Sequence, residues 1–379
     1  MKLRTVESVR EVPASQWNTC ANPSGFNPFV SHEFFLTLEE SGSATAKTGW
    51  KAEHLVYEIT KGKIAGVAPC YVKSHSQGEY VFDHGWAEAF HRAGGRYYPK
   101  LQSAVPFTPV TGPRLLSADP EVRELLSMGL VAACAELRAS SAHITFLPEA
   151  DWANADKAKW LQRQDIQFHW QNQGYSSFDG FLAGLSSNKR KNIRKERRAV
   201  HEAGISFEWV TGKALNEGHW DAFFAFYMDT GSRKWGSPYL TRKFFSLISK
   251  SMGQHVLLIL ARREGRIIAG ALNFIGSEAL YGRNWGASEH HDFLHFETCY
   301  YQAIDFAIQH KLKRVEAGAQ GQHKLARGYL PVKTHSLHHF AHPGLARAVG
   351  EYLEQERRAI DQDQALLAER SPFRHESDD

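Results

Sequence analysis

The sequence predicts an α/β fold made of two copies of one structural unit. Two segments of the chain share an order of strand, tight turn, strand, turn and strand, and the second strand opens with KIAG in one segment and IIAG in the other. Each segment continues into an amphipathic helix and a further strand. This combination predicts mixed, largely antiparallel sheets with helices packed on them.

Aromatic and glycine landmarks around the two segments recur in the same order. The members of each pair are separated by a nearly constant number of residues, which favours duplication of a whole unit over chance similarity between two hairpins. The pairs are Trp17 with Trp220, Phe34 and Phe35 with Phe244 and Phe245, Gly66 with Gly270, and Trp86 with Trp285.

Each unit is predicted to contain a helix, three antiparallel strands, a second helix, a strand, a short helix and a final strand. The second helices read PEVRELLSMGLVAACAELRAS and DFLHFETCYYQAIDFAIQHK, and the strands after them read SAHITFLP and KRVEAGA. We expect a first domain at residues 1–165, a connecting segment with a basic helix at 166–204, a second domain at 205–342, and a C-terminal helix with a polar tail at 343–379.

Positive charge is concentrated in one stretch of the connecting segment. Residues 185–200, LSSNKRKNIRKERRAV, hold seven Lys and Arg residues and one acid, although the net charge of the whole chain is only +4. Proteins that coat nucleic acid spread positive charge over a face or a tail, so this pattern favours a local anionic ligand. An apolar helical stripe predicts that the helix is docked on one side. The stripe consists of Phe178, Phe181, Leu182, Leu185, Ile193 and Val200.

The composition excludes several classes of protein. The four cysteines are far apart and form neither a disulfide framework nor a zinc ligand set. The chain starts without an apolar secretory segment, and no apolar run approaches the ~20 residues of a membrane helix. Histidines are frequent, but no HExxH or similar spacing predicts a metal site. We expect a cytoplasmic protein without an integral membrane segment.

A carboxylate lies on the apolar face of the predicted helix whose N-cap is Asp292. Glu297 follows Phe293 by four positions and precedes Tyr300 by three, so it points with them toward the core. A buried carboxylate costs several kcal/mol unless it is paired or protonated, and burial raises its pKa toward the range of a general base. Glu297 is therefore either a general base or the structural partner of a buried Arg or Lys.

A second acid, Glu316, lies in an apolar strand and precedes small residues that allow close approach of another chain or a ligand. The loop after this strand is bounded by glycines and contains Gln320, His323, Lys324 and Arg327. Loops at the carboxyl ends of strands are where α/β sheets bind ligands. The crowding of polar donors beside a core acid favours a functional loop over a solvated turn.

The segment RNWGAS places Arg283, Gly286 and Ser288 at the spacing of a nucleotide-binding motif. It resembles the Q/R-x-x-G-x-G/A motif of GNAT acetyltransferases, in which backbone amides and a helix N-terminus hold the pyrophosphate of coenzyme A. Ser288 replaces the last small residue of that motif, and the first unit has DHGWAE instead. The resemblance implies that any acyl-coenzyme A pocket lies in the second unit.

Four longer motifs resemble those of a known family. They are FHWQNQGY, SSNKRKNIRKERR, LHFETCYYQAIDFAI and EAGAQGQHKLARGYLP. Together they resemble the FemAB-like predicted N-acyltransferases, a bacterial branch of the tandem-GNAT group that includes the Fem peptidyltransferases of cell-wall synthesis. The resemblance covers nearly the whole chain. It implies two tandem GNAT-like domains and transfer of an acyl or aminoacyl group to an amine.

The core-facing Glu297 and the polar cluster after Glu316 suggest roles for the candidate residues of the second unit in such a transfer. Glu297 or Glu316 would act as the base toward the attacking amine, and Lys324 and Arg327 would stabilise the oxyanion. His323 is grouped with these catalytic candidates. Two further candidates, Tyr300 and Gln320, would bind substrate.

The basic helix would hold phosphate in this interpretation, through Lys189, Arg190, Arg194 and Arg198. The better-known Fem enzymes take an aminoacyl group from tRNA and transfer it to a peptidoglycan precursor. A nucleotide-linked or lipid-linked precursor carries a diphosphate that suits Arg and Lys side chains, and the tRNA backbone is the competing ligand. A merely solvated helix face is the third alternative.

Three functions stay open on the sequence alone. The first is an N-acyltransferase that acts on a phosphate-bearing peptidoglycan precursor. Residues 220–340 leave no room for the long helical hairpin that tRNA-reading Fem enzymes often carry, which argues against tRNA as its donor. The second is an acyl-coenzyme A-dependent acetyltransferase that uses RNWGAS. The third is a non-catalytic protein that binds tRNA or envelope precursors. No resident cofactor is predicted, and aminoacyl-tRNA or acyl-coenzyme A would be a co-substrate.

Overall fold

The structure, a computed structural model, describes residues 1–234, 238–318 and 321–374. The chain divides into two compact units. The first comprises Met1–Ile166 and Lys333–Gln362, and the second comprises Gln167–Val332 and Asp363–Asp379.

The N-terminal half of the chain supplies most of the first unit. In chain order its elements are β1 (Lys2–Val6), α1 (Ala14–Ala21), α2 (His32–Glu40), β2 (Trp50–Ala52), β3 (His54–Thr60), β4 (Lys63–Ala68), β5 (Tyr71–Lys73), α3 (His84–Arg92), β6 (Lys100–Ser103), α4 (Pro120–Glu136), β7 (Ser141–Leu147) and α5 (Glu149–Ala153).

The remaining elements follow in the C-terminal half. They are β8 (Leu161–Gln171), α6 (Phe178–Ala183), α7 (Ser187–Glu202), β9 (Ile205–Thr211), α8 (Glu217–Lys234), α9 (Arg242–Met252), β10 (Val256–Arg263), β11 (Arg266–Ile275), β12 (Ala279–Ala287), α10 (Leu294–Phe296), α11 (Gln302–Gln309), β13 (Arg314–Glu316), β14 (Leu330–Phe340) and α12 (Pro343–Glu369).

The first unit has an antiparallel sheet in the order β1-β3-β4 and a larger sheet in which β2, β5, β6, β7 and β14 lie side by side. The turn between β3 and β4 contains Gly62 at a φ of 78°, a conformation that glycine adopts without strain. Helix α4 buries Leu126 and Leu130 in one apolar cluster with Leu101 and Ile144 of the larger sheet. This cluster is the core of the unit, and α4 covers one face of the sheet.

The second unit has strands in the order β8-β13-β12-β11-β10-β9. The pairing of β12 with β13 is parallel and the others in this unit are antiparallel. A parallel pair needs a crossover, and α11 provides it between β12 and β13. In the first unit α4 provides the same crossover between the parallel strands β6 and β7.

The aromatic landmarks of the predicted duplication occupy corresponding places. Trp17 of α1 packs on Phe35 of α2 with 5.5 Å between ring centres, and Trp220 of α8 packs on Phe245 of α9 with 5.6 Å between them. All four side chains are fully buried. Each unit therefore contains the same pair of helices joined through a Trp and a Phe.

The predicted equivalence of Trp86 and Trp285 is wrong. Trp86 lies on helix α3, whereas Trp285 lies on strand β12. The predicted third strand of the first unit, expected to end near Trp86, does not form. Gly78 and Tyr80 adopt left-handed backbone angles that do not suit an extended strand, and helix α3 begins at His84. The crossover topology makes β6, and not this segment, the counterpart of β12.

The two units differ from the predicted domain boundaries because two strands are exchanged. Strand β8 follows β7 in the chain but pairs with β13, where Trp170 lies opposite Val315. Strand β14 follows β13 but pairs with β7, where His338 lies opposite His143. Backbone pairing therefore places residues 333–342, expected in the second domain, in the first unit.

The predicted basic helix is divided in two and belongs to the second unit. Helix α6 ends at Ala183 and α7 begins at Ser187, and the apolar stripe continues across the break through Leu185. Most of the stripe is buried as expected, with Phe181, Leu185 and Val200 fully inaccessible. In the described part of the chain, no helix is both long enough and apolar enough to cross a membrane.

Candidate active site

A cavity of about 100 Å³ opens in the second unit where strands β12 and β13 part. These parallel strands pair only from Ala279 to Tyr281, because β13 ends at Glu316 while β12 continues to Ala287. Strand β12 is also bulged, because Leu272 of β11 faces Asn284 while Asn273 faces Gly282, so Arg283 is the extra residue. A bulge of this kind redirects side chains and is frequent beside active sites.

The walls of the cavity combine small, aromatic and polar residues. Gly282 leaves space in the wall, because a Cβ at this position would stand 3.4 Å from the Asn273 side chain and 3.5 Å from the backbone of Ala317. The lining residues include Asn273, Gly282, Arg283, Trp285, His295, Cys299, Tyr300 and Ala317. Of the residues predicted for the site, Tyr300 and Arg283 lie in this wall.

The hydroxyl group of Tyr300 is hydrogen-bonded to His323 over 2.8 Å to Nε2. Tyr300 is 3% exposed, and burial raises the pKa of its hydroxyl group, so the phenol keeps its proton near neutral pH. Its ring stacks on Phe296 at an interplanar angle of 18°. His323 is exposed. The pair therefore links the cavity wall to solvent.

A π-helical turn over Glu297–Tyr301 positions this wall. The helix before it starts at Leu294, and its N-cap is Phe293 at a φ of 65°. The predicted N-cap Asp292 is therefore wrong by one residue. Turns of the π type are rare and occur frequently at functional sites.

Glu297 is fully buried and engaged by an arginine. Arg197 of α7 donates from Nη2 to Oε1 over 2.9 Å and from Nε to Oε2 over 3.1 Å, and Gln302 donates to Oε1 over 2.8 Å. Arg197 also donates to Asp305 over 2.8 Å. Both carboxylate oxygens accept charge-assisted bonds, which fits a structural partner of the half-buried Arg197 better than a base.

Arg327 forms a similar pair with the single acid of the basic stretch. Its guanidinium donates to Glu196 over 2.8 and 3.2 Å and to the carbonyl of His323 over 2.9 Å, and lies 3.4 Å from the centre of the Phe296 ring. Tyr301 donates to the same carboxylate of Glu196. These contacts tie the predicted catalytic loop to helix α7.

Lys324 is buried at 2% exposure and donates to the carbonyl of Gly318 over 2.9 Å. Burial lowers the pKa of its ammonium group to about 8. The lysine therefore fixes the backbone just after β13, at the edge where Ala317 lines the cavity. The predicted Gln320 lies outside the described residues.

Glu316 is 3% exposed and only partly hydrogen-bonded. Arg314 donates to Oε1 over 2.9 Å, while Oε2 lies 3.9 Å from Nε2 of His169 and has no hydrogen-bond partner within the described ranges. Burial lowers the pKa of His169, and Glu316 opposes this shift. The acid is thus buried beside the cavity, but the residue after it, Ala317, forms the wall.

The predicted phosphate-binding residues lie along α7. Lys189 and Arg190 are half-buried, and Arg190 donates to the carbonyl of Leu185 over 3.5 Å. Arg194 and Arg198 are exposed, and Arg194 donates to Asp179 over 3.1 Å. The helix is therefore docked on one side and presents cationic groups to solvent on the other.

The sequence matches the FemAB-like family, described as acting in peptidoglycan biosynthesis or recognition, over residues 8–375. The chain belongs to the FemAB-like family. This confirms the family that the four long motifs predicted. A comparison with curated proteins finds no match.

Solved structures similar to this FemAB-like chain include FemX, at a TM-score of 0.55 and 12% identity, with 92% of this chain and 100% of FemX covered. L-PGS from Bacillus licheniformis is similar at a TM-score of 0.51 and 9% identity, with 89% and 96% covered. A tandem GNAT protein from the clavulanic acid biosynthesis pathway has a TM-score of 0.44 and 10% identity, with 90% and 99% covered. The likeness to FemX supports the predicted α/β fold of two GNAT-like units.

The motif RNWGAS of the FemAB-like chain lies within strand β12 up to Ala287, and only Ser288 follows the strand. Gly286 lies within β12, and a Cβ there would stand 2.4 Å from the carbonyl oxygen of Phe226. The amide of Ser288 donates to the carbonyl of Ile268 over 2.8 Å. The glycine is required for packing against α8, and this amide is committed to the sheet.

Sequence reasoning missed two residues that organise the site, Glu196 and Arg197. Their spacing could have shown them, because both lie between Ile193 and Val200 at three or four positions from each. Residues at these spacings share the docked face of a helix. A charged residue on a docked face needs a partner of opposite charge. Glu297 in the π turn is the partner of Arg197, and Arg327 in the loop after β13 is the partner of Glu196.

Proposed function

We propose that this FemAB-like protein transfers an acyl or aminoacyl group from an activated ester or thioester to an amine, in the cavity beside β12. The observation that carries the proposal is the hydroxyl group of Tyr300 in the wall of that cavity, paired with His323. The cavity, at about 100 Å³, suits a small acyl group. A whole substrate would need a larger cleft, of the size typical of ligand sites, so only the acyl group would enter this cavity.

The reaction needs proton transfers that the Tyr300 and His323 pair can provide. The amine nitrogen attacks the carbonyl carbon, and the bond to the leaving oxygen or sulfur breaks when the tetrahedral intermediate collapses. The leaving atom must gain a proton, and the attacking ammonium must lose protons. Tyr300 keeps its proton because burial raises its pKa, so it donates to the oxyanion or the leaving atom. His323 then returns a proton to Tyr300 and takes up the proton that the attacking nitrogen loses after attack. The proton that the ammonium loses before attack passes to solvent, with which the exposed His323 also exchanges.

This assignment replaces the glutamates as the acid–base group. Glu297 is held by Arg197, and protonating it as a base would break the ion pair that stabilises this fully buried carboxylate. Glu316 does not line the cavity. In our proposal Lys324 and Arg327 position the loop after β13, through Gly318 and Glu196.

The acceptor that we propose is an amine on a phosphate-bearing peptidoglycan precursor. The family description supports this class of acceptor. The exposed face of α7 supports it too, because Arg194 and Arg198 offer guanidinium groups of the kind that bind phosphate in pairs of hydrogen bonds. The donor is an aminoacyl-tRNA or an acyl-coenzyme A, and the experiment separates the two.

The test measures transfer to a nucleotide-linked peptidoglycan precursor, with aminoacyl-tRNA as donor in one arm and acyl-coenzyme A in the other. We expect turnover in one arm, and Tyr300→Phe should lower kcat about 10²–10⁴-fold with little change in KM. His323→Asn should lower kcat as well and alter its pH profile.

Tyr352→Phe is the matched control and should keep the kcat of the parent, because Tyr352 is 49% exposed and lies on α12.

Full turnover of Tyr300→Phe would show that the cavity hydroxyl is not the acid–base group. If Glu316→Gln is inactive while Tyr300→Phe is active, then Glu316 is the base. If the folded protein shows no transfer in either arm, the proposed donors and acceptor are wrong.

A further inference from the structure

One face of the larger sheet in the first unit is polar although it is buried. Successive side chains of a strand point to opposite faces, and Leu101 and Ile144 point toward α4. The residues beside them point away from α4, and each is at most 2% exposed. They are Lys73 on β5, Lys100 and Gln102 on β6, His143 on β7 and His338 on β14.

Lys100 organises two carboxylates over this face. Its ammonium group donates to Ser76 over 2.8 Å, to Oε2 of Glu79 over 2.7 Å, and to Oδ2 of Asp83. Oδ2 of Asp83 also accepts from the hydroxyl group of Tyr97 over 2.7 Å. One oxygen of each carboxylate is therefore fully engaged.

The other oxygen of each carboxylate accepts no hydrogen bond from the described part of the chain. Oε1 of Glu79, Oδ1 of Asp83 and Oε1 of Gln102 are buried and lack a hydrogen-bond partner among the residues that the structure describes. These side chains are 4%, 3% and 1% exposed. Buried acceptors are nearly always paired in folded proteins, so these three oxygens call for donors from outside the chain.

The second lysine of this face, Lys73, does not supply these bonds. The ammonium group of Lys73 lies 3.7 Å from Oε1 of Glu79, beyond hydrogen-bond distance. It donates instead to the carbonyl of Gln77 over 3.2 Å and lies 3.4 Å from the centre of the Trp50 ring. The aromatic ring and the carbonyl hold this lysine to one side of the two acids.

We propose that the first unit holds a second ligand site, in which the ammonium group of a small primary amine donates to Glu79, Asp83 and Gln102. A primary ammonium group carries three N–H donors, and three buried acceptor oxygens are present. Two of the acceptors are carboxylates already ordered by Lys100, so the site is organised for a cation before the ligand binds. The proposal does not depend on the transfer chemistry of the second unit.

The ligand reaches the site through residues 74–83, the segment that covers the polar face. This segment supplies Ser76, Glu79 and Asp83, and it belongs to no strand or helix. Its surface side chain Phe82 is 54% exposed, which leaves part of the cover without packing. Opening of the segment would expose both carboxylates together.

The test is binding of ethylammonium to the full chain at about pH 8, above the raised pKa of Glu79, followed by calorimetry and by the thermal midpoint of unfolding. We expect saturable binding and a rise in Tm at up to about 100 mM amine, while tetramethylammonium, which lacks N–H donors, gives neither. Glu79→Gln should weaken binding about tenfold or more, because a hydrogen bond to a charged group is lost. Glu354→Gln, an exposed acid on α12, is the matched control and should bind as the parent does.

Equal responses to ethylammonium and tetramethylammonium would overturn the proposal, as would unchanged binding by Glu79→Gln. If Glu79→Gln does not fold, a crystal of the unaltered protein soaked in ethylammonium decides. Density for the amine within hydrogen-bond distance of Glu79 and Asp83 supports the site, and density for water only rejects it.

Discussion

The two units bury charge in chemically different ways. In the second unit, Arg197 meets Glu297 through two parallel hydrogen bonds, and Arg327 meets Glu196 in the same manner. A guanidinium group keeps its proton at every accessible pH and matches the shape of a carboxylate. Ion pairs of this kind stay charged and fix one geometry.

The first unit uses lysines for the same task. Lys100 holds Glu79 and Asp83, while Lys73 lies 3.7 Å from Glu79. Burial lowers the pKa of Lys73 to about 7 and raises the pKa of Glu79 to about 7. A lysine and an acid with these values can exchange a proton near neutral pH. The comparison indicates a fixed network beside the candidate active site and an adjustable one in the first unit.

The largest expected effect comes from breaking the fixed network. Arg197→Met should lower the free energy of unfolding by about 3–5 kcal/mol, because Glu297 stays buried without its cation. The measurement is urea unfolding followed by fluorescence and circular dichroism. Arg194→Met is the control, since Arg194 lies on the exposed side of the same helix, and its effect should stay within about 0.5 kcal/mol. Equal effects of the two changes would mean that the buried pair contributes no more than a surface charge.

The sequence predicts the fixed network better than the adjustable one. Periodicity predicted Glu297 on the buried face of its helix, and the same spacing rule, applied to the missed Arg197, would have placed it on the docked face of α7. Short-range patterns of this kind determine which face of a helix is buried, and burial of a charge requires a partner. The π turn shifts the register locally, and nothing in the periodicity indicates it.

The polar face of the first unit could not be predicted in this way. Lys73, Glu79 and Lys100 come from separate strands and a loop, and only the pairing of β5 with β6 brings them together. The exchange of β8 and β14 between the units has the same origin, because backbone hydrogen bonds between distant strands leave no local pattern. Local sequence shows the elements, and long-range pairing decides their neighbours.

The second prediction concerns how the contribution of Lys73 and Glu79 to stability depends on pH. Between pH 4.5 and about 7, the unfolded chain has lost the proton of Glu79 that the folded chain keeps, so this acid's contribution to stability falls as pH rises. Between about pH 7 and 10.5, the unfolded chain keeps the proton that folded Lys73 has lost, so this contribution rises. The pair should therefore contribute least near pH 7.

The measurement is the difference in unfolding free energy between the parent and the double variant Lys73→Met with Glu79→Gln, from pH 5 to pH 9. Subtraction is needed because buried His143, whose pKa burial lowers to about 3, contributes stability that rises with pH up to 6.5. This contribution is common to both proteins. The difference should have its minimum near neutral pH, with a depth on the order of 1–3 kcal/mol. A flat difference would show that neither group changes its pKa on folding.

The smallest effect is expected for Lys73→Met alone. At pH 6 the free energy of unfolding should change by about 1 kcal/mol or less, because Glu79 can keep a proton once the lysine is gone and the methionine fills the space over Trp50. Lys100→Met is the contrasting variant, since it removes the donor shared by Ser76, Glu79 and Asp83, and should cost several kcal/mol. If Lys73→Met costs as much as Arg197→Met, then Lys73 and Glu79 form a permanent ion pair like those of the second unit, and the contrast between the two networks disappears.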